Sequence, residues 1–198
     1  MKTVILYKSK HHGNTKKLVD AIVAAHPDDV DTIDVASLGK SEYPDITAYH
    51  CIIAASGIYF GEFDKDLKRV LDHTLRAEDH VFGLMTYGGK ASHYGRDLKG
   101  VCQVKFANLM SFYGCLGYDT WGPFKLTGGV QKGHPDAEEI QGAVEWYDKI
   151  VEEYGEILVE QYEKRQVRLD YYAEHPAGGL GSNIKRSAQK IARKLKKQ

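Results

Sequence analysis

Cysteine is scarce in this chain. Cys51, Cys102 and Cys115 are the only three in 198 residues, and no two share the spacing of a disulfide framework or a zinc site. Each sits among apolar neighbours, so all three are expected as buried, reduced thiols, which suits a reducing compartment and points to the cytoplasm. Long hydrophobic runs are missing as well. The apolar stretch before Lys8 is too short for a secretory signal, and nothing approaches the roughly 20 apolar residues of a membrane span.

Several nucleotide signatures are also absent where the first apolar run, Val4-Ile5-Leu6-Tyr7, gives way to a helical pattern. A dinucleotide fingerprint needs three spaced glycines, and Gly13 stands alone. The turn lacks the Gly-Lys-Ser/Thr triplet of a nucleoside-triphosphate loop. A receiver-type magnesium site needs carboxylates at the strand ends, yet the first acid, Asp20, already lies inside the helix. A cysteine phosphatase needs a thiol in this loop, and the first cysteine is Cys51. The turn itself is Ser9-Lys10-His11-His12-Gly13-Asn14-Thr15, rich in hydroxyls and donors. It opens a helix whose free N–H groups and dipole favour an anion. Ser9, Asn14 and Thr15 add side-chain donors, His11 a ring donor and Lys10 a positive charge. The stretch therefore reads as a phosphate or mononucleotide site, or else as a polar βα turn. The scattered histidines show no metal-ligand spacing, so no metal is expected, and His26 before Pro27 reads as a helix-end residue.

At 42% hydrophobic and 27% charged, the chain suits one soluble domain with some extra length. Strand patterns fall at Val4–Tyr7, Val30–Val35, Cys51–Ala55, Val81–Thr86 and, weakly, Cys115–Thr120. Helical patterns fill Thr15–Ala25, Asp64–Leu75 and Asp97–Tyr113, and a long one starts near Asp136, where Asp136 and Glu139 have capping-box spacing. Strands alternating with helices imply an α/β fold with a parallel sheet covered on both faces. The domain is expected over residues 1–154 and a helical extension over 155–198, with a hinge at Pro176–Gly181. Residues 184–198 carry seven basic and no acidic side chains, which leaves the body acidic. This thin amphipathic tail is expected to fold back on the body or to touch an anionic surface weakly.

Two further turns would line the crevice of such a sheet: Ser56-Gly57-Ile58-Tyr59-Phe60-Gly61 and Thr86-Tyr87-Gly88-Gly89, the latter continuing to Tyr94. Both mix glycines with aromatics, so a planar ring can lie on a tyrosine while glycine peptides approach its edge. With the first turn, they resemble the flavodoxin family over about residues 1–153. Gly122-Pro123-Phe124-Lys125, Gly128-Gly129 and Lys132-Gly133-His134-Pro135 are similar to one subgroup of it. The resemblance implies a doubly wound five-stranded parallel sheet of order 2-1-3-4-5 in three layers. It also implies an FMN cofactor. Ser9, Lys10, His11, Gly13, Asn14 and Thr15 would hold the phosphate. Ser56, Gly57, Ile58, Tyr59, Phe60 and Gly61 would hold the isoalloxazine, with Tyr59 as stacking ring. Thr86, Tyr87, Gly88 and Gly89 would meet the pyrimidine edge, with Tyr94 over the other face.

The chain departs from the pattern in places. His12 stands where many members have threonine, the first loop is one residue longer than the commonest form, and the second loop has no tryptophan. Lys90 and His93 make the third loop less acidic, which raises the expected reduction potential. Three functions compete: an electron carrier serving a redox partner protein, an NAD(P)H-dependent flavin or quinone reductase, and a non-catalytic phosphate-ligand module. A monomer or homodimer fits each of them.

Overall fold

The computed structural model describes residues 1–175. Its five strands, β1 (Thr3–Lys8), β2 (Val30–Asp34), β3 (Cys51–Gly57), β4 (His80–Tyr87) and β5 (Asn108–Leu116), form one sheet in the order β2-β1-β3-β4-β5. Every pairing is parallel. Helices α1 (Asn14–Ala25), α2 (Lys65–Thr74) and α3 (Arg96–Lys105) make three of the crossovers, the β2–β3 connection has only a 3-10 turn (Val35–Ser37), and α4 (Ala137–Glu174) follows the last strand. This is the flavodoxin-like arrangement that the resemblance implies.

The alternation of side chains along β1 separates the two cores. Val4 and Leu6 face Leu67, Val70 and Leu71 of α2 and Leu98 and Cys102 of α3. Ile5 and Tyr7 face Leu18, Val19 and Ile22 of α1 and Ala143, Tyr147 and Ile150 of α4. With a core on each face, β3 is buried along its whole length and reads as a continuous apolar run. On the face shared with Ile5, the Tyr147 hydroxyl of α4 meets Thr3 Oγ1 at 2.8 Å, so this buried phenol is satisfied. All three cysteines are free and buried, and burial pushes the Cys51 thiol up to about 12.

One stretch differs from expectation. The helical spacing of Phe106, Leu109 and Met110 suggests that the third helix reaches Tyr113, but α3 stops at Lys105 and β5 begins at Asn108, not Cys115. The stop carries no glycine or proline. Phe106 itself takes the left-handed conformation (φ 56°) and donates to Cys102 O and Gln103 O. From there β5 alternates in exposure, as an edge strand does, and ends at Leu116.

The chain's Gly-Lys-Ser triplet, Gly39-Lys40-Ser41, lies in the β2–β3 connection. Asp34 stands where a phosphate loop has its first glycine, the Gly39 N–H is spent on Glu42 Oε2 (2.9 Å), and no helix follows it. At the other end of the domain the expected capping box forms. Asp136 Oδ1 accepts from Glu139 N and Glu139 Oε2 from Asp136 N, both at 2.9 Å. Residues Met1–Leu158 form one compact unit and Val159 opens a second. The helix α4 continues through residues 155–174. The predicted hinge and basic tail lie outside the described residues.

Candidate functional site

Strand order reverses about β1 and β3, and a crevice opens beyond the carboxyl ends of the strands there. The register brings Lys8 beside Ser56, Gly57 beside Thr86, and Thr86 beside Cys115. Four loops therefore converge on one cavity of about 250 Å³.

The first loop ends in two consecutive left-handed residues, His12 (φ 57°) and Gly13 (φ 67°). Gly13 is the N-cap of α1, no side chain caps it, and no acid lies in the first turn. Two of its N–H groups have long partners: Ser9 Oγ accepts from Lys16 N and His11 O from Asn14 N, both at 3.4 Å. Such a start leaves N–H groups free to bind an anion. Thr15 Oγ1 pairs with Thr86 Oγ1 (2.9 Å), which joins the helix start to the end of β4. Asn14 Nδ2 donates to Tyr118 O at 2.8 Å, while Asn14 Oδ1 is buried with no donor. Natural proteins rarely leave such an atom unsatisfied, so a bound group at this cavity has a donor to supply.

Lys10 is committed elsewhere. Its Nζ lies 2.5 Å from Asp64 Oδ2, a carboxylate 1% exposed at the N-cap of α2. The loop's lysine charge is thus largely neutralised before any ligand arrives. Tyr59 is committed too. Its hydroxyl accepts from Lys10 N (3.2 Å), and a Cβ on Gly57 would sit 2.8 Å from that oxygen. Burial raises the Tyr59 pKa most strongly, so the phenol remains protonated.

The turn that follows Tyr59 is tight: Tyr59 N donates to Glu62 O (2.8 Å) and Glu62 N to Tyr59 O (3.1 Å). Phe60 (φ 55°) and Gly61 (φ 88°) are its central residues, with the φ values of a type I′ turn. Phe60 points outward and is 84% exposed. Ser56 is buried; its Oγ donates to Gly57 O and accepts from Asp64 N, so it supports the loop from beneath.

Of the sequence-predicted residues, Lys10, His11, Asn14, Thr15, Gly57, Ile58, Tyr59, Phe60, Thr86, Tyr87 and Gly88 line the cavity. Ser9, Gly13, Ser56, Gly61, Gly89 and Tyr94 are not among its lining residues. Tyr94 donates to Gly89 O (2.9 Å), and its ring packs on Tyr87 and His93. The fourth loop, Gly117, Tyr118, Asp119 and Trp121, also lines the cavity and is not anticipated from sequence. Expecting the last strand at Cys115–Thr120 hides Gly117, Tyr118 and Asp119 inside a sheet and leaves Trp121 just beyond it; with β5 ending at Leu116, all four fall in the crevice. Gly117 fits there because a Cβ would meet Asn14 Nδ2 at 2.8 Å. His12 lies against the Tyr118 ring (4.2 Å) and bonds Thr120 Oγ1 (2.9 Å), tying the first loop to the fourth.

The flavodoxin-domain family pattern matches residues 4–124, a stretch that contains every residue lining the cavity. The chain belongs to the flavodoxin family. An uncharacterized protein of Methanocaldococcus jannaschii is 34% identical over 154 residues, 76% of this chain and 99% of that protein. Among solved structures, oxidised flavodoxin 1 of Bacillus cereus is similar with a TM-score of 0.54 at 14% identity, covering 76% of this chain and 98% of that one. A Fusobacterium nucleatum flavodoxin bound to flavin mononucleotide gives 0.53 at 16% identity, covering 77% and 99%. An NADPH-quinone reductase from P. pentosaceus gives 0.50 at 12% identity, covering 74% and 97%. At such identities the likeness is one of fold. Among the described residues, no helix is long and apolar enough to cross a membrane.

Proposed function

We propose that this cavity holds FMN and that the protein transfers electrons through it. The observation that carries the reading is the start of α1: a helix N-terminus with a glycine N-cap after left-handed His12, its first N–H groups held only by long 3.4 Å bonds, and the buried Asn14 Oδ1 still short of a donor. The residues present fit the group. The free N–H groups of α1 with the Thr15 and Ser9 hydroxyls suit a phosphate, and Asn14 Oδ1 suits a sugar-alcohol hydroxyl. Thr86, Tyr87 and Gly88 stand where the edge of a ring system would lie, with apolar and aromatic walls on either side.

Bound flavin supplies reversible one- and two-electron redox chemistry, and the chain supplies orientation and field. Asp119 is the only carboxylate among the lining residues. A wall so poor in negative charge places less electrostatic penalty on added electrons than an acidic one, which favours a comparatively high reduction potential.

The visible spectrum of the purified protein, followed by FMN titration and anaerobic addition of NADH or NADPH, tests this. A yellow protein that retains FMN supports the reading. Bleaching by a nicotinamide then identifies a reductase, and its absence a carrier fed by a partner protein. A colourless protein that ignores FMN overturns the reading and leaves a phosphate-ligand module.

A further inference from the structure

Two aromatic rings meet across the mouth of the cavity, one from each bank. Phe60 comes from the turn after β3 and Trp121 from the segment after β5. Their centroids lie 4.6 Å apart at 77°, edge to face. Both line the cavity, yet they are 84% and 53% exposed. Phe60 is held there by a left-handed backbone that a phenylalanine adopts only at a cost of about 1–2 kcal/mol. An exposed apolar ring kept in a strained conformation is the kind of outlier from which a function is inferred.

Trp121 sits near the start of a strap spanning residues 117–135, and the strap is tied down near its base. Tyr118 N donates to His134 O (3.0 Å), Asp119 and Val130 exchange backbone bonds (3.0 and 2.8 Å), and the Tyr118 hydroxyl donates to Gly128 O (3.0 Å). At the start of its 3-10 turn, Gly122–Thr127, Trp121 N donates to Asp119 Oδ1 (2.8 Å), which holds the backbone from which the indole reaches Phe60. The two tyrosines expected to stack on a ring already have neighbours against their rings: Lys10 Nζ lies 5.4 Å from the Tyr59 centroid with His11 tilted beside it at 5.6 Å, and Tyr94 packs on Tyr87 and His93 at 5.6 and 4.9 Å.

Resting on the FMN reading, we propose that Phe60 and Trp121, rather than Tyr59 and Tyr94, grip the planar ring system, and that Trp121 on the strap is the residue that closes over it. The two rings touch edge to face and leave most of their surface exposed. A planar ring between them needs a separation of roughly 7 Å, twice the usual carbon–carbon contact distance. The pair must part by about 2–3 Å and one ring must swing out of the 77° edge-to-face arrangement, a side-chain motion that two exposed rings permit. Both rings line the same cavity as Asn14 and Thr15 of the α1 start, so one ligand can touch both.

The test uses the full chain and titrates it with FMN and with riboflavin, which keeps the ring and lacks the phosphate. Trp121→Ala is expected to weaken both ligands by the same factor, about tenfold for a lost stacking ring. It should also raise the fluorescence of the bound flavin, because a stacked indole quenches it. Trp121→Phe should recover most of the affinity. Inorganic phosphate, titrated by its effect on the α1 amide resonances, should bind wild type and Trp121→Ala alike, which separates ring contact from a loss of fold. If wild type holds FMN while Trp121→Ala keeps wild-type affinity and fluorescence for both flavins, the proposal is overturned and the pair covers something else. If wild type binds phosphate but neither flavin, the FMN reading fails and this proposal fails with it.

Discussion

Lys10 and Asp64 form an asymmetric ion pair: Nζ and Oδ2 are 2.5 Å apart, with the lysine side chain 39% exposed and the carboxylate 1% exposed. Removing either partner therefore has different consequences. Lys10→Met strands a buried charge and should destabilise the protein by about 2 kcal/mol, below the range for fully buried pairs because the lysine reaches solvent. Asp64→Asn leaves an amide that still caps α2 at Asp66 N and frees an ammonium that can hydrate, so it should cost under about 1 kcal/mol. Urea denaturation at neutral pH measures both, and equal losses would contradict the asymmetry. The freed ammonium should also tighten phosphate-ligand binding and steepen its salt dependence.

His134 makes stability depend on pH. Its Nδ1 lies 2.7 Å from Glu139 Oε2, and this hydrogen bond is the main reason its pKa stands above the ordinary 6.5. A folded-state value above the unfolded one means that the imidazolium stabilises the fold fully below about 6.5 and that this contribution is lost as pH rises through the raised folded value. Denaturation midpoints measured across that window should fall with pH in wild type. In His134→Gln this component should vanish; an unchanged pH profile would rule His134 out as its source.

Asn14 tests the phosphate end of the cavity. Its amide nitrogen holds the fourth loop through Tyr118 O, and its oxygen has no donor. Asn14→Ala gives up one hydrogen bond, about 1 kcal/mol, in the free protein. It also removes an acceptor that only a ligand satisfies, so FMN affinity should drop about tenfold beyond the stability loss. Calorimetric titration beside thermal denaturation separates the two. A variant that loses stability and keeps its affinity would place Asn14 in the scaffold alone.

The architecture was legible in the sequence because its central strands are apolar throughout and its helices carry regular stripes. Asp136 and Glu139 even announced their reciprocal bonds by spacing alone. The edge strand was harder to read: Leu109, Ser111 and Tyr113 alternate with the more exposed Asn108, Met110 and Phe112, but Phe106 ends α3 without a glycine, so the helical period of the apolar residues runs on past the true end. That single boundary concealed the fourth bank of the cavity, Gly117 to Trp121. The side-chain commitments of Lys10 and Tyr59 were illegible for another reason. Each depends on a partner more than 45 residues away in the sequence (Asp64 and the Lys10 amide), a relationship that local pattern does not encode.

Phe60 offers a case where stability and binding should move in opposite directions. The Tyr59–Glu62 turn has positive φ at both central residues, and the dipeptide that fits such a turn best is Asn-Gly. The chain has the glycine, Gly61, and puts phenylalanine in front of it. Phe60→Asn relieves the left-handed strain without adding the unfolded-state entropy that glycine would, and it forfeits little burial because the ring is mostly exposed. The relief of about 1–2 kcal/mol is partly offset by the lost edge contact with Trp121, so the protein alone should gain up to about 1 kcal/mol in urea denaturation. The same variant loses one of the two rings at the mouth, so FMN should bind about tenfold more weakly. Gain in one measurement with loss in the other would mean that this position is held away from its conformational optimum by what the ring does in the site. A variant less stable than wild type would show instead that Phe60 belongs to the packing of the loop.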